Sequence, residues 1–144
     1  MNEALRCRIA LGAFALALLL GTTSCRRTPN PAEGHKLLTG KWRLVVKSDC
    51  AHWGIDSDTL ILHPDGRMEQ HLKLLNGKKY DSAQERWEYL PDHSISLDRR
   101  VTATDPQYAG IPQLEVLIVE FSQPPVILLN PHQNCFYERF SSEQ

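Results

Sequence analysis

Past residue 40 the chain alternates apolar and polar positions with a period of two. Trp42, Leu44 and Val46 fall on one face, with Lys41, Arg43 and Lys47 on the other. Met68, Leu72 and Leu74 oppose Arg67, Glu69, His71 and Lys73; Trp87 and Tyr89 oppose Arg86 and Glu88; Ile95 and Leu97 oppose Ser94, Ser96 and Asp98. Each pattern predicts a half-buried antiparallel strand. Turn chemistry separates them: Pro64-Asp65-Gly66 follows Thr59–His63, Asn76-Gly77 follows Leu74, and Pro91-Asp92 closes the strand carrying Trp87. Leu114–Phe121 reads as apolar on both faces, which predicts a central strand. Pro124-Pro125 then forces a break before Val126–Leu129, and Asn134–Phe140 supplies a last strand. Only Glu33–Leu38 looks helical, for one short turn. About eight short strands in meander order predict an all-β fold, a single antiparallel meander closing into a small barrel, because closure removes exposed edges.

The N-terminal pattern is different. Arg6-Cys7-Arg8 precedes an apolar run, Ile9–Gly21, and then Thr22-Thr23-Ser24-Cys25. A basic end, a short apolar stretch and a small-residue site read as an export signal. The run is shorter than the roughly 20 residues a membrane span needs. The small residues before Cys25 resemble the lipobox of bacterial lipoproteins, although Thr22 stands where lipoboxes prefer Leu. The resemblance implies cleavage before Cys25 and acylation of that cysteine, and two or three chains anchor a protein stably. Arg26 occupies the place of the Asp that retains many lipoproteins at the inner membrane. In a Gram-negative host the resemblance therefore implies the outer membrane, facing the periplasm. The polar, proline-bearing segment after Cys25 reads as a tether. The expected organisation is a signal peptide at 1–24, a lipidated cysteine and tether at 25–34, and a barrel domain at 35–144.

Removing residues 1–24 leaves 14 basic and 16 acidic side chains, a near-neutral balance that gives no reason to expect nucleic acid. Of four cysteines, Cys7 leaves with the signal and Cys25 takes lipid. Cys50 and Cys135 remain, and an oxidising compartment would pair them.

A short helical turn followed by Leu38-Thr39-Gly40-Lys41-Trp42, then Leu60-Ile61-Leu62-His63-Pro64-Asp65-Gly66, then Arg86-Trp87-Glu88-Tyr89 and Ile95-Ser96-Leu97, resembles small lipocalin-like β-barrel domains over residues 35–98. In that group a Gly-x-Trp opens the first strand, and the full-length members pack an arginine on that Trp. No arginine here stands at an obvious counterpart.

The resemblance implies a cup, here lined by Leu44, Val46, Leu62, Met68, Trp87, Val116 and Ile118, that takes a small apolar molecule. Small barrels are also commonly filled by their own side chains, and contacts would then lie outside. The segment Ser48–Asp58 offers His52, Trp53, Asp56 and Asp58, and the disulfide would draw His132 beside it. Phe136, Tyr137 and Phe140 form a second candidate patch. Asp98-Arg99-Arg100 reads as a solvated turn or an ion-pair cluster. No nucleophile–base motif, nucleotide loop or His spacing for a metal occurs, so no enzyme, metal or cofactor is expected. The expected function is a membrane-anchored, non-catalytic lipoprotein binding a small apolar ligand. The alternative is a protein-interaction or scaffolding lipoprotein with a filled barrel, meeting an envelope protein.

Overall fold

A computed structural model describes residues 29–102, 110–130, 132 and 135–140. The expected signal segment and Cys25 lie outside the described residues. One helix, α1 (Pro31–Leu38), precedes eight strands: β1 (Gly40–Val45), β2 (Ile55–Leu62), β3 (Arg67–Leu74), β4 (Lys79–Leu90), β5 (Ser94–Val101), β6 (Pro112–Glu120), β7 (Val126–Asn130) and β8 (Cys135–Arg139). A 3-10 helix, Ser48–Trp53, joins β1 to β2. Each strand pairs antiparallel with the next, and β8 returns to β1, so the meander closes into a barrel. This is the all-β architecture that the alternation predicts.

The helix begins earlier than Glu33. Asn30 caps it, accepting from the Glu33 amide at 3.0 Å while the Glu33 carboxylate accepts from the Asn30 amide at 3.1 Å. This reciprocal box, with Pro31 in the first turn, converts part of the expected tether into helix. The helix closes one end of the barrel. Gly34 lies so close to the Tyr89 ring that a Cβ would come within 2.2 Å of it, so only glycine fits without a shift. Next to it, His35 stacks on Trp87 with ring centroids 4.2 Å apart, and Leu38 is fully buried.

Trp42 completes this end. Its indole N–H donates to the Leu38 carbonyl at 2.7 Å. Arg139, on the last strand, lies over the Trp42 ring at 5.2 Å and donates to the carbonyls of Thr39, at 2.8 Å, and Leu37. An arginine does therefore pack on the first Trp. Its place is set by the β1–β8 register, Trp42 opposite Arg139, which no local pattern displays.

The inward faces of β2, β3 and β4 follow the alternation, with Leu60, Leu62, Met68, Leu72, Trp87 and Tyr89 in the core. Elsewhere two expectations fail. Val46 lies beyond the end of β1 and is exposed. On β6, Val116 and Ile118 point outward, 55% and 51% exposed, while Leu117 and Val119 fill the interior. Closure gives β6 two neighbours but leaves its outer face uncovered, so a strand apolar on both faces is not here buried on both.

Cys50 and Cys135 are joined in a disulfide, with Cα atoms 6.3 Å apart. It ties the 3-10 helix to the start of β8. The bridge spans 85 residues, for which chain entropy gives about 4–5 kcal/mol. Replacing either cysteine by Ser should lower the unfolding free energy in urea by several kcal/mol; an unchanged midpoint under reducing agent would remove the staple from the ledger.

Candidate functional site

The middle of the barrel is polar. Asp58 on β2, Gln70 on β3, Arg100 on β5 and Tyr137 on β8 all turn inward and are almost fully buried. The Arg100 guanidinium meets the Asp58 carboxylate at 3.0 Å through Nη2, which also donates to the Tyr137 oxygen, while Nη1 donates to Glu115 on β6. Tyr137 donates its hydroxyl to Asp58 at 2.6 Å. Gln70 donates to Asp58 at 3.1 Å and to the Val101 carbonyl at 2.9 Å, and accepts from the Val101 amide at 2.8 Å. One guanidinium, itself 1% exposed, thereby binds side chains from three other strands, β2, β6 and β8, and Gln70 on β3 joins them through Asp58.

A register shift puts Arg100 there. Leu97 pairs with Glu115 and Arg100 with Gln113, so β5 carries one residue more than β6 across this interval. This is a β-bulge. Arg99 takes up the distortion at φ 55° and points to solvent, where it meets Glu85 at 3.5 Å. Without the extra residue, alternation from Leu97 would place Arg99 inside and Arg100 outside. The reading of Asp98-Arg99-Arg100 as a solvated turn is therefore corrected: Asp98 and Arg99 are exposed and Arg100 is at the centre of the fold.

Burial and charge pull on the ionisation of this cluster in opposing directions. Burial pushes the Asp58 carboxyl up, against the opposing charge of Arg100 and the hydrogen bonds from Tyr137 and Gln70. Burial also works against the charged form of Arg100, but the oxygens of Tyr137, Glu115 and Asp58 outweigh it and hold the guanidinium above its ordinary value. Burial raises the Tyr137 phenol well above its usual range, so it acts as a neutral donor. The arrangement couples a fixed cation to two carboxylates. It aims no nucleophile at a base. Arg100 Nε, Ser82 Oγ and Gln113 Nε2 are buried and have no hydrogen-bond partner among the described residues.

The residues expected to line a cup divide. Leu44, Leu62, Met68 and Trp87 face inward and belong to one packed core; Val46, Val116 and Ile118 do not. The expected loop of His52, Trp53, Asp56 and Asp58 is also not one site. Asp58 is buried in the network rather than in a loop, and Asp56 is on the outside of β2, 2.6 Å from Lys73. Trp53 packs against the core, with His52 edge-on to it at 5.6 Å. His132 is exposed, and its amide donates to Asn130. Tyr137 likewise leaves the expected surface patch, while Phe136 stays on the outside beneath Lys47. Among the described residues no three His, Cys, Asp or Glu side chains converge as metal ligands.

Two open grooves flank the barrel. One of about 560 Å³ lies against α1 and is lined by His35, Asp65, Arg86, Trp87 and Ser96. The other, about 350 Å³, is lined by Gln70, Tyr80, Ser82, Glu85 and Arg99 where β4 and β5 part company, their ladder ending at Trp87 and Leu97. No protein-family model matches the chain, and no curated protein matches it.

The network sets a sharp expectation. Arg100→Met leaves a buried carboxylate uncompensated and should cost about 3–5 kcal/mol at neutral pH. Adding Asp58→Asn should recover most of that loss. In Arg100→Met the Asp58 carboxyl is raised further, so stability falls as pH climbs from the unfolded carboxylate value through the folded one. The gap to wild type therefore narrows in acid, as denaturation series from pH 3 to 7 would register.

Proposed function

We propose that this chain is a lipid-anchored envelope protein whose lipocalin-like barrel is solid and non-catalytic, acting through its outer surfaces as an interaction or scaffolding module. The observation that carries the reading is the filling of the lumen by the Asp58–Arg100–Tyr137–Gln70 cluster. A charged and hydrogen-bonded centre offers nothing to an apolar molecule, which would have to desolvate or displace it. The apolar positions above and below are taken up by one another. Arg139 on Trp42 supports the lipocalin-like comparison at the closed end, where the contact is structural. The signal pattern before Cys25 supports export and acylation. In this reading Cys25 supplies the membrane attachment and the folded domain supplies the contacts.

Native mass spectrometry of the chain from Arg26 onward, purified from a periplasm, tests the solid barrel. The expected result is a bare mass, two hydrogens light for one disulfide. A mass excess that disappears on denaturation and releases an apolar compound would instead support a ligand-carrying cup. Separately, the full chain should incorporate labelled palmitate and lose the label in Cys25→Ser.

A further inference from the structure

The outer wall carries an apolar surface that neither the core nor the buried network uses. On β6 three successive outward positions are Leu114, Val116 and Ile118, and Leu114 is 68% exposed. The ladder registers continue the surface sideways. Ile118 is opposite Leu128 on β7, Leu128 is opposite Phe136 on β8, and Phe136 is opposite Val45 on β1. One apolar row thus crosses four strands and meets a longitudinal apolar stripe. An outward strand face in water is normally polar, and contiguous apolar patches mark contact sites.

Charge borders this surface on one side. Lys41, Arg43 and Lys47 stand along β1 and just beyond it, all exposed. Arg43 is paired with Glu138 at 2.6 Å, and Lys47 lies 5.1 Å from the Phe136 ring. Against Lys41 and Lys47 the nearby wall sets Glu120 at the end of β6. An apolar face with a basic margin is complementary to an anionic lipid surface.

Chain length adds a second argument. Only five peptide steps separate Cys25 from Asn30, the residue that caps α1. In any conformation they reach at most about 18 Å, close to the roughly 15 Å backbone diameter expected of an eight-stranded barrel. A barrel attached through Cys25 is held within about one barrel diameter of the membrane surface. Its faces are then presented to the headgroups at the high effective concentration a short tether imposes.

We propose that the outer face of β6, β7, β8 and β1 lies against the lipid bilayer, with Leu114, Val116 and Ile118 entering the interface and Lys41 and Lys47 meeting anionic headgroups. The proposal rests on the reading of Cys25 as the anchor, and it fixes the barrel's orientation. The grooves beside β4 and β5 then belong to the part of the surface left for other partners.

Flotation with vesicles of phosphatidylethanolamine and phosphatidylglycerol tests it, using the chain from Arg26 onward, which keeps every described contact. Weak binding is expected, reduced by raised salt. It should fall about tenfold or more in a Leu114→Ser, Val116→Ser, Ile118→Ser variant, whose melting point should stay near wild type because all three side chains are exposed. Absence of vesicle binding, or binding unchanged in this variant, would overturn the proposal. So would a concentration-dependent dimer or a protein complex that this variant abolishes while vesicle binding stays intact. Palmitate labelling reads the anchor independently: an unlabelled Cys25 with patch-dependent vesicle binding would remove the anchor reading and keep the lipid-facing wall.

Discussion

A cation buried in the middle of a small barrel dictates much of what surrounds it. The guanidinium of Arg100 has lost its water, and replacement must come from groups on separate strands: Asp58 from β2, Glu115 from β6 and Tyr137 from β8. Gln70 completes the ring by binding Asp58 and both backbone groups of Val101. Such a cluster contributes little net stability compared with an apolar filling of equal volume. It acts on geometry, because each donor and acceptor has one place to be. The strands that share Arg100 are tied together by it, and the middle of the lumen is occupied by those hydrogen-bonded groups.

The two ends of the barrel are made in different ways. At one end, α1 lies across the opening, with Gly34 against Tyr89, His35 on Trp87 and Arg139 bridging from Trp42 to the helix C-terminus. At the other, the Cys50–Cys135 bridge draws the 3-10 helix onto β8. Both closures join the beginning of the domain to its last strand. Apolar packing between them supplies the driving force, and the polar cluster ties the strands together.

Much of the fold is legible in the sequence because it is written in local terms. The alternation in β3 and β4, the Asp-Gly and Asn-Gly turns and the two remaining cysteines all act over a few residues or through simple pairing. Asp58 and Gln70 were within reach too, since each is a polar residue at an inward position of an otherwise apolar face. Arg100 and Arg139 were not. Arg100 owes its direction to one extra residue in β5, which reverses the alternation beyond it. Arg139 owes its place to a register between strands almost a hundred residues apart. β6 shows the converse limit: a run apolar on both faces specifies a strand but not what covers its second face.

The placement of β8 has a consequence for the order in which this barrel forms. Five residues, Cys135–Arg139, hold the disulfide, the hydroxyl of the buried cluster, the arginine over Trp42 and the ladder to β1. All are contacts of high sequence separation, the kind whose loop-closure entropy is met late in folding. A chain delivered N-terminus first presents β1 with no partner on that side until its final strand arrives. A sheet lacking that strand would have two free edges, at which strands of other chains can pair. One short strand is thus the difference between a sheet with edges and a barrel without them.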